Sequence, residues 1–364
     1  YLAAGQSLVL TYTIQLTDSS TATDTQPVVI TITGSNDDPV ISIVGGDSAA
    51  ETLNETDTDL TVAGKLTLTD VDTTNTVSAT VLSVDQIVDT AGLANDTLLA
   101  MMGVSGDLTN AENTDTLNWS FDSNTQAFDY LAAGQSLVLS YTIQVTDSST
   151  ATDTQTVVIT INGSNDAPTI AGDAIGAVTE DAATPTLSNT GTLTISDDDT
   201  GEALFQTTGI NASAGALGNL SITAGGDWTY TVANADVQYL KDGEPKVETF
   251  TVLSADGTPH NVVVTITGSN DAATITVTPA DINVVEDDAP NTASGTVNVT
   301  DVDTGEDNLA SSTALYGNVV VDGSGNWTYT LDDTNPTVDA LITGATLIDT
   351  ITFTSDDGTT QTQT

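Results

Sequence analysis

The sequence predicts an all-β chain, built of tandem Greek-key β-sandwich domains in a linear array. Three observations point there. The chain repeats itself at domain-sized intervals, its apolar residues alternate with period two, and its glycines, tryptophans and acids return at matching points of each repeat.

The repeats set the boundaries. Residues 1–37, YLAAGQSLVLTYTIQLTDSSTATDTQPVVITITGSND, recur at 130–166 with four substitutions: Thr11 becomes Ser140, Leu16 Val145, Pro27 Thr156 and Thr33 Asn162. A diverged copy ends in VVVTITGSND at 262–271, and a fourth begins alike and runs to Thr364. The phrase GSND therefore starts at Gly34, Gly163 and Gly268, at spacings of 129 and 105 residues. Such periods are too long for a solenoid turn and suit whole domains strung as beads. Residues 1–37 are expected to be the C-terminal part of a preceding repeat. Residues 38–166 are then a complete repeat with an insertion near 84–118, and 167–271 are a second. Residues 272–364 are a truncated repeat lacking its last strand. A chain opening at Tyr1 without Met or signal peptide is expected to be a fragment of something longer.

Within a repeat the elements are strands. Leu137, Leu139, Tyr141, Ile143 and Val145 alternate with Val138, Ser140, Thr142 and Gln144, the pattern of a strand with one buried face. Val157, Ile159 and Ile161 do the same in the next strand. The turn-rich segment 146–154 joins the two as a hairpin, and Thr-rich outer faces favour extended backbone. Upstream lies Leu131-x-x-Gly134-x-x-Leu137, repeated as Leu2/Gly5/Leu8 and Leu341/Gly344/Leu347. The copy at Leu240 and Gly243 has Lys246 in the last place. Gly there is expected to turn the corner between sheets. Single tryptophans recur in NWSF (Trp119), DWTY (Trp228) and NWTY (Trp327). One per domain, with Phe121, Tyr230 and Tyr329 following at strand spacing, reads as a core plug; sugar stacking is the alternative. The segment 84–102 has the one stretch of possible helical spacing. Its Leu98, Leu99, Met101 and Met102 are either a loop packed on the sandwich or a private binding surface.

Composition excludes several function classes. Asp and Glu number 51 against 3 Lys plus Arg, for a formal net charge of −48. Nucleic acid and anionic membrane surfaces both need Lys and Arg, so neither is an expected partner. No run of apolar residues is long enough to span a bilayer as a helix. Cysteine is absent, which removes disulfides and thiolate metal sites. The single His260 has no His or Cys to share a transition metal. Carboxylate pairs abound, but they lie in repeated turns rather than one unique cluster, and no nucleophile elbow or phosphate loop occurs. The chain is not expected to be an enzyme.

The acids recur at equivalent loop positions. The first complete repeat has Glu55 and Asp57, then Asp70 and Asp72 in TDVDTTN. The second has Glu180 and Asp181, then Asp197, Asp198 and Asp199 in SDDDTGE. The third has Glu286 and Asp287, then Asp301 and Asp303 in TDVDTGE. The closing hairpin turns add Asp147 and Asp153, Asp256, and Asp356 and Asp357. The linkers add Asn36, Asp37 and Asp38, Asn165 and Asp166, and Asn270 and Asp271. In an Ig-like sandwich the Asp-rich turn, the hairpin turn and the incoming linker share one pole. The acidic pair near the first strand lies at the other, facing the next repeat. Acidic loops converging without a cation repel, and Ca2+ takes about six to eight hard oxygen ligands of the kind these loops offer. A plain acidic surface is the alternative.

The GSNDAP linker (163–168), the D-x-D turn and the W-x-Y strand resemble the VCBS and cadherin-like repeats of giant bacterial surface adhesins, including those of the RTX type. The resemblance covers essentially the whole chain. It implies a cadherin-like array with Ca2+ at each junction, bound by linker Asn and Asp, D-x-D carboxylates and a Glu from the preceding domain. Two linkers depart from the pattern: GSNDAA at 268–273 lacks Pro, and GSNDDP at 34–39 carries an extra acid. The calcium-binding nonapeptide that names the RTX group is absent.

The expected function is a calcium-rigidified extender, or stalk, of a bacterial cell-surface adhesin. It projects distal domains that bind a host or biofilm ligand elsewhere in the parent protein. The expected location is extracellular, and the direct partners are neighbouring repeats of the same polypeptide. Two alternatives are a carbohydrate- or protein-binding module using the 84–118 insertion, and a filament in which chains complete one another's sandwiches head to tail.

Overall fold

The structure, a computed structural model, describes residues 2–87, 92–109, 111–287, 289 and 291–364. A hairpin opens the chain, β1 (Ser7–Thr17) with β2 (Thr23–Thr33), antiparallel and in continuous register. Next come β3 (Val40–Ser42), β4 (Ala50–Asn54), β5 (Thr61–Thr69), β6 (Val77–Ile87), a short helix α1 (Asn95–Leu99), β7 (Met102–Ser105), β8 (Thr114–Asp122), β9 (Ser136–Asp147) and β10 (Thr152–Asn162). A second series holds β11 (Thr169–Gly172), β12 (Ile175–Thr179), β13 (Thr186–Ser196), β14 (Asn211–Ala212), β15 (Asn219–Ile222), β16 (Asp227–Ala233), β17 (Pro245–Leu253) and β18 (Pro259–Thr267). A third holds β19 (Thr274–Asp281), β20 (Thr292–Thr300), β21 (Leu309–Thr313), β22 (Gly317–Val321), β23 (Asn326–Leu331), β24 (Ile351–Ser355) and β25 (Thr360–Gln363).

Each series makes two sheets around one core. In the first, β4-β10-β9-β6 faces β3-β5-β8-β7; in the second, β12-β18-β17-β14 faces β11-β13-β16-β15; in the third, β21-β24-β25 faces β19-β20-β23-β22. The opening strand changes sheets midway in the first two. β3 runs antiparallel to β5, whereas β4 runs parallel to β10, and β11 and β12 repeat this against β13 and β18. That split first strand is the Ig-like signature the acid pattern presupposed. In the third series the last strand is β25, four residues paired antiparallel to β24.

Chain contacts group the molecule into two compact units. One is Tyr1–Pro168 with the loop Asp197–Ala203, and the other is Thr169–Ser196 with Leu204–Thr364. The Asp-rich loop after β13 therefore belongs, by contact, with the linker and sandwich that precede it.

The period-two pattern is realised as burial. Leu137, Leu139, Tyr141, Ile143 and Val145 of β9 are fully buried, as are Val157, Ile159 and Ile161 of β10. Each such side chain contributes roughly 2 kcal/mol through apolar surface removed from water. Trp119, Trp228 and Trp327 are each 1 % exposed, so they are core plugs and not sugar platforms. Trp119 Nε1 donates to Ser48 O (2.8 Å) and Trp228 Nε1 to Asp173 O (2.7 Å), tying the indole to the bend where the first strand changes sheets.

Two sequence motifs prove to be one contact. Gly134 of the L-x-x-G corner takes φ +84°, a left-handed turn that Gly makes without penalty. Against that corner lies Gly163 of GSND, where a Cβ would stand 2.0 Å from Leu131 O; Gly34 and Gly268 meet Leu2 O and Leu240 O in the same way. GSND therefore opens with Gly because the closing strand exits directly over the corner.

The 84–118 insertion splits between strands and helix. Residues 88–91 lie outside the described residues, and α1 spans five residues. Leu98, Met101 and Met102 are buried in the first core, and Leu99 packs against it. Tyr141 Oη donates to Leu98 O at 2.8 Å, fixing the helix to β9. The apolar residues considered as a private binding surface are core residues.

Candidate metal centres at the linkers

Every GSND segment ends in the same construction. The backbone N–H of Asp37 donates to Asp72 Oδ2 (2.8 Å), that of Asp166 to Asp199 Oδ2 (2.8 Å) and that of Asp271 to Asp303 Oδ2 (3.0 Å). Inside each D-x-D loop the second Asp N–H donates to the first carboxylate: Asp72 to Asp70 (2.8 Å), Asp199 to Asp197 (3.1 Å) and Asp303 to Asp301 (3.0 Å). The amides of Asn36, Asn165 and Asn270 turn back to the carbonyl of the following Asp. Backbone donors thus fix one oxygen of each D-x-D carboxylate and leave the other free.

Those other oxygens are buried without a hydrogen-bond partner. They are Asp70 Oδ2 and Asp72 Oδ1, then Asp197 Oδ2 and Asp199 Oδ1, then Asp301 Oδ2 and Asp303 Oδ1; Asp166 Oδ2 and Asp271 Oδ2 in the linkers are in the same state. Asp72, Asp199 and Asp303 are at most 2 % exposed. Buried carboxylate oxygens normally carry partners, because stripping them of water without compensation is costly.

The Asp166 cluster is the most complete. Glu55 follows β4, its N–H held by Asn162 O (2.8 Å), and is 3 % exposed. Its Oε2 accepts from Ser164 N (3.0 Å) and Ser164 Oγ (2.6 Å), so the serine of GSND aims the side chain, while Oε1 has no partner. Ligand oxygens of Glu55, Asp57 and Asp166 lie within 4.8 Å of one another. Asp129 adds a further unpartnered oxygen, Oδ1. Burial first, then the charges of Glu55, Asp199, Asp57 and Asp129, push the Asp166 carboxyl up to about 6. Asp129 and Asp199 are raised as well, by burial and then by neighbouring carboxylates. The chain has only 3 Lys plus Arg with which to offset these charges.

The other clusters are variations. Around Asp37, burial raises Asp70, and Asp147 Oδ2 accepts from Asn36 (2.9 Å) and Asn75 (3.2 Å). Around Asp271, Glu180 is 2 % exposed and its Oε2 accepts from Ser269 N (3.0 Å), repeating the Glu55 arrangement. Burial followed by nearby carboxylates raises Glu180, Asp271 and Asp303. Glu286 is raised by desolvation, then by Asp287, Asp339 and Asp333.

The hairpin acids do something else. Asp153 accepts from Ile41 N (2.9 Å) and Asp357 from Ala273 N (3.0 Å), each pinning the incoming strand to the closing hairpin. Asp256 and Asp357 also accept from the threonine hydroxyls of their own turns, Thr258 and Thr359 (2.7 Å each). The Asp356 N–H donates to Asn308 O (3.1 Å), and Asp38 is exposed. Of these residues, Asp153 and Asp357 brace an incoming strand and Asp256 braces its own turn.

Asp129 escaped the sequence reading. Its signal was present: Asp129, Gln238 and Asp339 each stand two residues before the Leu of the L-x-x-G corner.

The donor set is carboxylate, amide and carbonyl oxygen, which suits a hard cation such as Ca2+ and not a transition metal. A family model, the bacterial cadherin-like domain, matches residues 165–268. That span opens on the linker pair Asn165-Asp166 and runs to Gly268. No curated protein sequence matches the chain. Among solved structures the chain is similar to the EC1-4 fragment of PcdhgB3, at 13 % identity over 99 % of this chain and 82 % of that one (TM-score 0.39). It is similar to Drosophila N-cadherin EC1-4 at 15 % identity over 98 % and 81 % (TM-score 0.36). A titin I67-I69 variant is similar at 8 % identity over 89 % and 96 % (TM-score 0.29). The chain is an all-β array of tandem sandwiches, and its segment 165–268 matches the bacterial cadherin-like model. Among the described residues no helix is long and apolar enough to cross a membrane.

Proposed function

We propose that the chain is a calcium-stiffened spacer of an extracellular bacterial adhesin. The observation that supports this most strongly is the Asp166 cluster, with its buried, unpartnered carboxylate oxygens on Glu55, Asp129, Asp166, Asp197 and Asp199. Glu55, Asp57 and Asp129 come from the end of one sandwich, Asp166 from the linker, and Asp197 and Asp199 from the loop after β13. A Ca2+ ion held there ties three separated chain segments together. Ser164 and the N–H groups of Asp166 and Asp199 already orient those carboxylates, so little conformational entropy remains to be lost on binding.

With its linkers fixed, such an array transmits force and holds distal domains away from the cell. Stripped of calcium, the same clusters repel and the linkers loosen. Burial takes the three tryptophans and Leu98, Met101 and Met102 out of reach of a carbohydrate or protein ligand, which weighs against the binding-module alternative. Small-angle scattering of the full chain provides the test. In millimolar Ca2+ it should show a larger maximum dimension and less flexibility than in excess chelator; identical profiles would remove the spacer mechanism.

We further read residues 1–37 as the closing hairpin of a preceding repeat. Tyr12 and Ile14 are each 53 % exposed, whereas their copies Tyr141 and Ile143 are 0 % exposed against the strands that precede them. The face fits strands equivalent to 38–129.

A further inference from the structure

The Asp166 and Asp271 clusters are built alike except at one place. Glu55 and Glu180 both follow a strand parallel to the closing strand, and both give Oε2 to the serine N–H of GSND. Asp166 and Asp271, and Asp199 and Asp303, superpose in their hydrogen bonding. Thr200 N donates to Tyr130 O (3.2 Å) in one, and Thr304 N to Tyr239 O (3.0 Å) in the other. The residue before each of these tyrosines differs: Asp129 in the first cluster, Gln238 in the second.

That difference changes the fate of the glutamate. Glu55 Oε1 is buried and unpartnered. Glu180 Oε1 accepts from Gln238 Nε2 at 2.8 Å, and the same amide reaches Asp181 Oδ1 at 3.1 Å. Asn234 closes the arrangement, donating Nδ2 to Asp181 Oδ1 (2.7 Å) and accepting the Asp181 N–H at its Oδ1 (2.9 Å). These hydrogen bonds, Asn234 first, hold the Asp181 carboxyl below the usual range. The sequence change compounds the effect, since Glu55-x-Asp57 becomes Glu180-Asp181-Ala182. Two amide side chains in the second cluster thus present N–H groups to carboxylates.

We propose that Gln238 makes the Asp271 cluster the less calcium-dependent of the two, its amide occupying the place of one cation that the Asp166 cluster leaves to the metal. The proposal rests on the calcium reading above. An amide N–H satisfies a buried carboxylate oxygen at all calcium concentrations and so takes one coordination direction from the cation's cage, while Gln in the place of Asp129 removes one negative charge from it. The array would then keep one linker ordered when calcium falls while the other loosens.

The test uses the full chain and its Gln238→Asp and Asp129→Gln variants. Calorimetric titration with Ca2+ should show one additional equivalent bound by Q238D and one fewer by D129Q. Melting in excess chelator supplies a readout without metal: Q238D should melt below the parent chain and D129Q above it, and both orders should reverse in saturating Ca2+. Calcium binding by the parent chain with no gain of an equivalent in Q238D overturns the inference alone. Absence of calcium binding in the parent chain overturns both this and the spacer function. An unchanged chelator melting order also overturns it.

Discussion

Gly191 stands directly opposite Trp228 across the β13–β16 pair, and a Cβ at that glycine would lie 2.5 Å from the indole Cζ2. Gly64 faces Trp119 in the same way, and Gly295 faces Trp327, with gaps of 2.3 and 2.7 Å. The indole lies across the missing side chain. Substitution of Gly191 by Ala should therefore destabilise its sandwich by about 1–3 kcal/mol, the usual cost of overpacking a filled core. Urea unfolding measures it. An unchanged midpoint would mean that Trp228 has room to move.

A second device ties β16 to β17. Glu248, 1 % exposed, accepts from Leu217 N (2.6 Å), Gly218 N (3.1 Å) and Tyr230 Oη (2.9 Å). Asp349 repeats it with Leu315 N (3.0 Å), Tyr316 N (2.8 Å) and Tyr329 Oη (2.8 Å). Tyr230→Phe removes one donor from a buried carboxylate and should cost about 1–3 kcal/mol, seen as a lower melting temperature at every calcium concentration. A loss confined to calcium-free samples would place the residue in the metal chemistry instead.

The clusters predict an unusual pH profile in chelator. Asp166 has its carboxyl at about 6 in the folded chain, against 3.8 ordinarily. The fold binds that proton more tightly than the unfolded chain, so the stabilisation is complete below 3.8 and is lost as pH rises through about 6. Asp129, Asp199, Asp271, Asp303 and Glu180 are raised too and add the same sign. Without calcium the chain should melt higher at about pH 5 than at about pH 7.5. Saturating calcium, competing with protons for the same oxygens, should flatten or invert the trend. A melting temperature that rises with pH in chelator would contradict this assignment.

How much was legible beforehand follows from range. Strand alternation such as Leu137-x-Leu139-x-Tyr141 is a local property and became β9 with its core face as read. The linker and D-x-D acids were legible because they recur, and the structure joins Asp166 to Asp199 by one hydrogen bond. Long-range relations were hidden. Nothing local in SNTGTL shows that Gly191 receives Trp228, nor in QVTDSSTATDT that Asp153 pins Ile41 N while Asp147 serves its own turn with Oδ1 and the Asp37 cluster with Oδ2. Local spacing leaves Leu98 and Met101 open between core and binding surface, because their burial depends on β9, some forty residues away, which donates Tyr141 Oη to Leu98 O.

We assign the unpartnered oxygens around Asp166, and their counterparts, to Ca2+. Melting temperature measured against free calcium at constant ionic strength tests it most directly. A site present only in the folded chain adds about 1.4 kcal/mol for each tenfold rise in calcium above its dissociation constant. The melting temperature should therefore climb linearly with the logarithm of calcium, and Asp199→Asn should reduce the slope. A melting temperature that is the same in chelator and in millimolar calcium would mean that these oxygens hold no Ca2+.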